Sequence, residues 1–69
     1  MNIIGPRVRA IRESKNLTQE ELAAQCNLLK WDISRGTLAK IESRVRRVTD
    51  EEILLLARAL KVSVNDLYK

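Results

Sequence analysis

The 69-residue sequence has few of the residues that usually stabilise a very small domain or perform catalysis. It contains one cysteine, Cys26, and no histidine. These two facts exclude an internal disulfide, an ordinary zinc site and a histidine-based catalytic centre. Neither a nucleophile–base pair nor a phosphate-binding glycine loop is present, so we expect no enzyme activity, no catalytic residue, no metal and no cofactor.

Long apolar segments are also absent. The most apolar stretch, residues 53–60, contains Arg58 and is far shorter than the roughly 20 residues that span a bilayer. No long apolar run follows the first basic residues, as a signal peptide would require. A single unpaired thiol suits a reducing compartment, so we expect a cytoplasmic protein without a membrane partner. The length accommodates one hydrophobic core, and hence a single domain over residues 1–69.

Helix-start signals are the most informative feature that is present. Three segments place a hydroxyl residue after an apolar one and an acidic residue three positions later, which is the pattern of a capping box. The hydroxyl and acidic residues are Thr18 and Glu21, Thr49 and Glu52, and Ser63 and Asp66. In such a box each residue's side chain accepts a hydrogen bond from the backbone N–H of the other. Three of these starts in so short a chain predict an all-α fold of short helices.

Apolar spacing and helix-ending residues extend this prediction to five helices. Helix one starts at Pro6 and ends near Asn16, and helix two runs from Thr18 to about Cys26. Helix three starts near Ser34, with Asp32 as a competing N-cap; helix four runs from Thr49 to about Leu60, and helix five starts at Ser63. The predicted core consists of Ile4, Val8, Ile11, Leu22, Ala23, Cys26, Leu38, Ile41, Ile53, Leu56, Ala57, Leu60, Leu67 and Tyr68.

The positive charge is confined to one segment. Residues 30–47 contain six basic and two acidic residues, a balance of +4, whereas the remaining seven basic and seven acidic residues cancel. The whole net charge of +4 therefore lies between the first two capping boxes. A segment of one sign in a small domain favours a polyanionic partner, most often nucleic acid.

Three segments together resemble the helix-turn-helix domains of the Cro and cI repressor family, also called xenobiotic-response-element-like. They are residues 16–23 (NLTQEELA), residues 33–42 (ISRGTLAKIE) and residues 56–63 (LARALKVS). The resemblance covers nearly the whole chain. It implies a five-helix, lambda-repressor-like domain that binds double-stranded DNA, usually as a two-fold homodimer on a near-palindromic site. It therefore implies a sequence-specific transcriptional regulator, and we expect a repressor.

Helix three would enter the major groove, where the first residues of such a helix meet base edges. Because Leu38 and Ile41 face inward, the predicted base contacts are Arg35, Gly36, Ala39 and Lys40. Arg35 would bond a guanine edge, with a phosphate contact or a solvated side chain as the alternatives, and Lys40 is equally suited to base or phosphate. Ala39 would touch a thymine methyl group or nothing. Gly36 either lets the backbone approach DNA closely or is simply tolerated in the first turn.

The predicted phosphate contacts are Gln19, Thr37, Arg44, Arg46 and Arg47. Gln19 occupies the first position of helix two, which the family uses to bond a phosphate; the alternative is a solvent-exposed glutamine. The resemblance also implies a partly buried ion pair between Arg12 and Glu42 that links helices one and three, with two surface charges as the alternative. Arg7 and Arg9 are expected to be solvated charges.

The connection between helices two and three departs from the family pattern. Residues 27–33 make it roughly five residues longer than a tight helix-turn-helix turn, and the additional residues include the only tryptophan. Within residues 28–32, Trp31 either packs on the core or, with Leu28 and Leu29, forms a surface for a protein partner. Exposure of these three residues would favour a different function, that of a protein-interaction module such as an antitoxin. A dimer interface is expected beside helix five, at Leu67 and Tyr68, next to the loop after helix three that carries Val45 and Val48.

Overall fold

The computed structural model describes residues 2–69 as four α-helices followed by a 3₁₀ helix. The α-helices are α1 (Gly5–Ser14), α2 (Gln19–Leu28), α3 (Arg35–Glu42) and α4 (Asp50–Leu60). The predicted all-α class is confirmed, and no strand occurs in the described part of the chain. The predicted fifth helix is instead a 3₁₀ helix, Val64–Tyr68. So short a segment completes few i→i−4 hydrogen bonds, and the tighter 3₁₀ turn is common in pieces of this length.

The helix starts follow the predicted capping signals. Complete capping boxes form at Thr18, Thr49 and Ser63, each with the acidic residue three positions later. Ser34, not Asp32, caps α3, because its Oγ accepts a hydrogen bond from the Thr37 backbone N–H at 3.1 Å. Local side-chain bonds of this kind satisfy backbone donors that have no partner within the helix.

Each of the four α-helices is terminated by a residue whose backbone adopts the left-handed helical conformation, and none of these residues is glycine. The residues and their φ angles are Asn16 (58°), Lys30 (67°), Arg44 (71°) and Lys61 (59°). In each case the next residue donates its backbone N–H to a carbonyl five positions earlier, which is the Schellman arrangement. The predicted end of α2 near Cys26 was too early, because the left-handed residue is Lys30 and the helix continues through Leu28.

The core lies between the four α-helices: α3 packs against α1 and α2, α4 packs against α1 and α2, and the 3₁₀ helix packs against α1 and α4. Twelve of the predicted core residues are buried, and Ile33 and Ala59, which were not predicted, join them. Two predictions were wrong: Ile53 is only half-buried and Tyr68 is half exposed, since the last residue of the 3₁₀ helix leaves its ring at the surface. Burial raises the pKa of the Cys26 thiol to about 11, so this side chain packs as a neutral group.

In the described residues, no helix has the length and apolarity needed to cross a membrane.

A close approach between α1 and α3 fixes the position of α3. Gly5 is buried at the start of α1, against the last carbonyl groups of α3. A Cβ atom at position 5 would overlap the Ile41 carbonyl oxygen and would lie 2.9 Å from that of Glu42. Only glycine allows the two backbones to come so close. The positive end of the α1 dipole thereby faces the negative end of α3.

Candidate nucleic-acid interface

The outer surface of α3 carries the predicted base-contacting residues. Leu38, Ile41 and Glu42 are buried in the domain. Arg35, Gly36 and Lys40 are exposed on the opposite face, and Ala39 and Thr37 are half-buried between the two faces. The amphipathic spacing of the helix thus turns one basic surface outward. Thr37 Oγ1 accepts a hydrogen bond from Ser34 Oγ at 3.1 Å, so this hydroxyl also supports the helix start.

The N-termini of α2 and α3 lie beside the same open cleft. Its lining residues are Arg9, Arg12, Thr18, Gln19, Glu20 and Arg35. The structure therefore brings Gln19 and Arg35 to one surface although they are far apart in sequence. Helix N-termini carry partial positive charge, which adds to that of the arginines. Arg9 is paired with Glu13 and Arg12 with Glu42, so Arg35 is the arginine of this cleft that has no acidic partner within residues 2–69.

Arg12, Glu42 and Gln19 form one hydrogen-bonded network behind this cleft. Arg12 Nε donates to Glu42 Oε2 at 2.8 Å and Arg12 Nη2 donates to Glu42 Oε1 at 3.1 Å. Gln19 Nε2 donates to the same Oε1 at 3.1 Å. The hydrogen bond to Glu42 raises the pKa of Arg12 further above its usual value, despite the opposing effect of burial. The first residue of α2 is thus tied to the end of α3.

The loop after α3, which we call the basic loop and define as residues 43–47, contains three arginines in different environments. Arg46 is bound to Glu52 by two hydrogen bonds of 2.9 Å. Arg44 donates from Nε to the Asn2 carbonyl oxygen at 2.8 Å. Arg47 is exposed, and its side chain forms no hydrogen bond or ion pair with residues 2–69. The predicted phosphate contacts therefore differ in how freely they can meet a ligand.

The connection between α2 and α3 spans residues 29–34. Asn27 Nδ2 donates to the Trp31 carbonyl oxygen at 2.9 Å and to that of Ile33 at 3.1 Å, which fixes the loop backbone. Trp31 and Leu29 pack against the core and are half-buried. Leu28 alone is strongly exposed, at 76%. Most of the apolar surface of this segment therefore packs against the domain's own core.

Several contacts of this region were not predicted from the sequence. Arg7 was expected to be solvated, but its Nε donates to the Asp66 carbonyl oxygen at 2.8 Å and ties α1 to the 3₁₀ helix. Asn2 bonds to the basic loop, and Asn27 bonds to the loop before α3. These are asparagine and arginine contacts to backbone carbonyl groups. No local sequence pattern identifies such partners.

The comparisons with known proteins identify the family. The helix-turn-helix family model matches residues 8–67, which is most of the chain. The chain belongs to the Cro/cI-type helix-turn-helix family. It is 38% identical over 66 residues to the control protein C.BamHI of Bacillus amyloliquefaciens, an alignment that covers 94% of this chain and 75% of that protein. No solved structure gives a significant match. Membership places this helix-turn-helix protein among DNA-binding transcription regulators.

Proposed function

We propose that this helix-turn-helix protein binds a specific double-stranded DNA sequence and presents α3 to the major groove. The observation that carries the proposal is the exposed basic face of α3, with Arg35 beside the N-terminus of α2. A helix held against a compact core by its apolar face fits the width of the major groove. Because Arg35 lies in the first turn of α3, its guanidinium would meet the base edges first.

Base contacts are proposed for Arg35, Gly36, Ala39 and Lys40. Arg35 would donate two hydrogen bonds to one guanine, and Lys40, one turn later, would reach a neighbouring base or phosphate. A Cβ atom added at Gly36 would have only the Ser34 Oγ within 4 Å, at 3.8 Å, so the surface of this glycine is open to DNA. Ala39 is half-buried and offers a smaller surface, suited at most to a thymine methyl group.

Phosphate contacts are proposed for Gln19, Thr37, Arg44 and Arg47, which border α3 on both sides. Arg47 is the strongest candidate, because its exposed guanidinium forms no hydrogen bond or ion pair with residues 2–69. Arg46 was also predicted to contact phosphate, and its bonds to Glu52 leave it a supporting role in orienting the basic loop.

We further propose that the α2–α3 connection, residues 29–34, is longer than the family pattern.

We propose that two copies bind a near-palindromic site as a homodimer. One short helix in one groove supplies few contacts, and a two-fold dimer doubles them, with half-sites about 10 base pairs apart. Val45, Val48 and Tyr68 of the predicted interface are exposed or half-buried, whereas Leu67 is buried and can only support the others. Ile3 and Leu54 are exposed near Tyr68 and extend the apolar surface.

Repression would follow where the bound dimer overlaps the binding site of RNA polymerase. The relative from Bacillus amyloliquefaciens is named a control protein, which supports a regulatory role without stating its direction. The alternative of a protein-interaction module has weaker support, since Trp31 and Leu29 pack on the core and only Leu28 is strongly exposed. In vitro transcription from a promoter that contains the selected site distinguishes repression from activation.

Selection of duplexes from a random pool, followed by titration of the selected duplex at several salt concentrations, tests the proposal. If a dimer neutralises about six to eight phosphates, the slope of log affinity against log salt should be about −5 to −7. Analytical ultracentrifugation with the selected duplex should give two chains per duplex. No enrichment of any sequence, or a flat salt response, would contradict specific DNA binding. One chain per duplex at saturation would contradict the dimer.

A further inference from the structure

Asn2 lies three residues before the start of α1 and makes hydrogen bonds to three separate parts of the chain. Its side-chain Oδ1 accepts from the Gly5 backbone N–H at 2.6 Å, at the start of α1. Its Nδ2 donates to the Ile41 carbonyl oxygen at 3.1 Å, near the end of α3, and to the Arg46 carbonyl oxygen at 2.7 Å. One carboxamide thus joins α1, α3 and the basic loop.

The main chain of Asn2 adds a fourth contact to the same loop. Its carbonyl oxygen accepts a hydrogen bond from Arg44 Nε at 2.8 Å. This bond uses only one of the five N–H donors of the guanidinium, so the terminal NH₂ groups of Arg44 can still bind another acceptor. The orientation of Arg44 and the backbone path of Arg46 therefore both depend on where Asn2 lies.

The basic loop has physical reasons to need such support. Arg44 adopts a left-handed conformation, with φ of 71°, which is unfavourable for a residue with a side chain. Three arginines lie within four positions, and only Arg46 has an acidic partner within the described residues. Repulsion among these cations favours a more open loop. Hydrogen bonds from residues outside the loop oppose that opening.

We propose that Asn2 is a positioning residue for DNA binding, whose carboxamide holds the basic loop in the conformation that presents Arg44 and Arg47 to the phosphate backbone beside α3. This inference rests on the proposed DNA-binding function. A loop that is already ordered loses less conformational entropy when it binds, so its phosphate contacts give more net affinity. Asn2 itself need not touch DNA.

The test compares Asn2→Ala and Asn2→Ser with the wild-type protein and with Ala10→Gly. Asn2→Ala removes all three side-chain hydrogen bonds without changing charge, and Asn2→Ser retains a side-chain acceptor near the start of α1. Ala10 is exposed within α1 and distant in sequence from the loop, so Ala10→Gly weakens the helix without removing a loop contact. All measurements are made below the unfolding transition of each variant.

Both Asn2 variants should bind selected and random duplexes about tenfold more weakly, because a loop that is disordered in the free protein must be ordered on binding and forms on average one phosphate contact fewer. The salt slope should shrink by about one, while the ratio of selected to random affinity stays unchanged. Hydrogen exchange in the free protein should accelerate at the Val45 and Arg46 amides, which both bond to the Lys40 carbonyl oxygen. Ala10→Gly should leave the affinity, the slope and the protection of these two amides at wild-type values.

Three results would overturn the inference. Wild-type affinity and slope in folded Asn2 variants would show that the carboxamide does not position the loop for DNA. Unchanged protection at Val45 and Arg46 would show that it does not order the loop at all. Unfolding of both variants would assign Asn2 a purely structural role. A wild-type protein that binds no duplex would instead refute the proposed function, and the exchange measurement would still decide whether Asn2 orders the loop.

Discussion

Arg12 and Glu42 join α1 to α3 through two hydrogen bonds, of 2.8 and 3.1 Å, in a place where only 10% and 3% of the two side chains are exposed. Each side chain also makes a hydrogen bond to a third group. Arg12 Nη1 donates to the Leu17 carbonyl oxygen at 2.6 Å, and Glu42 accepts from Gln19. A buried charge pair of this kind holds its elements in one arrangement only while both partners are present.

Removal of one partner should destabilise the domain severely. Glu42→Ala leaves the Arg12 guanidinium buried without its counter-charge, and the expected loss is about 3–5 kcal/mol of unfolding free energy in urea denaturation. The control is Arg9→Ala, which breaks a pair with Glu13 whose side chains are 64% and 55% exposed and should cost at most about 1 kcal/mol. Equal losses in the two variants would contradict a structural role for the buried pair.

The two glycines should respond in opposite directions to replacement by alanine. Gly5→Ala places a methyl group against the Ile41 carbonyl oxygen, so α1 and α3 must separate, at a cost of about 1–3 kcal/mol or more. Gly36→Ala meets open space and should stabilise α3 by about 0.5–1 kcal/mol. Thermal unfolding of both variants measures these changes. A Gly5→Ala variant as stable as wild type would show that the two helices are not in such close contact.

Gly36→Ala also tests whether the α3 backbone approaches DNA. If Gly36 lies against DNA, the variant should bind the selected duplex more weakly although it is more stable. If it binds with wild-type affinity, Gly36 is only tolerated in the first turn of the helix. The affinity and the unfolding free energy must therefore be measured on the same preparation.

Stability should fall as the pH decreases through the range of an ordinary glutamate. Hydrogen bonds from Arg46 lower the pKa of Glu52 in the folded protein below its usual value of 4.5. The unfolded chain therefore binds more protons in this range, and the contribution of Glu52, present above about pH 4.5, is lost as pH falls through the folded pKa. Glu52→Gln should be less stable near pH 6 and lose less stability on acidification. If Glu52→Gln and the wild type showed the same dependence of stability on pH, this ion pair would not be a cause of the acid-induced loss of stability.

Asp66 should lose its contribution to stability at still lower pH than Glu52. Hydrogen bonds from Lys69 and Ser63 lower its pKa from 3.8 to about 2. Its contribution is present above about pH 4 and is lost as pH falls toward 2, so Asp66→Asn should flatten only the most acidic part of the profile. Urea denaturation at a series of pH values separates the two groups.

Lys61→Gly should stabilise the protein. Lys61 ends α4 with φ of 59°, a conformation that costs a residue with a Cβ atom about 1 kcal/mol, and glycine adopts it without strain. The gain, partly offset by the greater freedom of glycine in the unfolded chain, should appear as a higher midpoint in urea denaturation. The control is Lys15→Gly, since Lys15 has φ of −98° and gains nothing from glycine. Destabilisation by Lys61→Gly would contradict the assigned geometry.

The helix starts could be predicted from the sequence because each depends on a side chain and a backbone group three residues apart. Thr18, Ser34 and Thr49 therefore identify their helices correctly. The helix ends were harder, because Lys30 and Arg44 occupy positions where glycine is the usual signal.

Apart from the Arg12–Glu42 pair, which the family resemblance implies, the contacts between distant segments could not be predicted. The bonds of Asn2 to Ile41 and Arg46 join residues that only the completed fold brings together. The same is true of the partnership between Arg46 and Glu52, which changes the role expected for one of the three loop arginines. Sequence composition located the basic segment, and the fold determines which of its cations are available.

The central claim, that α3 reads the DNA sequence, is tested most directly by the binding of Arg35→Ala and Arg47→Ala to the selected duplex and to a random one. Arg35→Ala should lose about 1–3 kcal/mol on the selected duplex and relax the preference at one base pair, with little change on random DNA. Arg47→Ala should weaken both duplexes alike and reduce the salt slope by about one. Equal losses on the two duplexes for Arg35→Ala would contradict base recognition by α3.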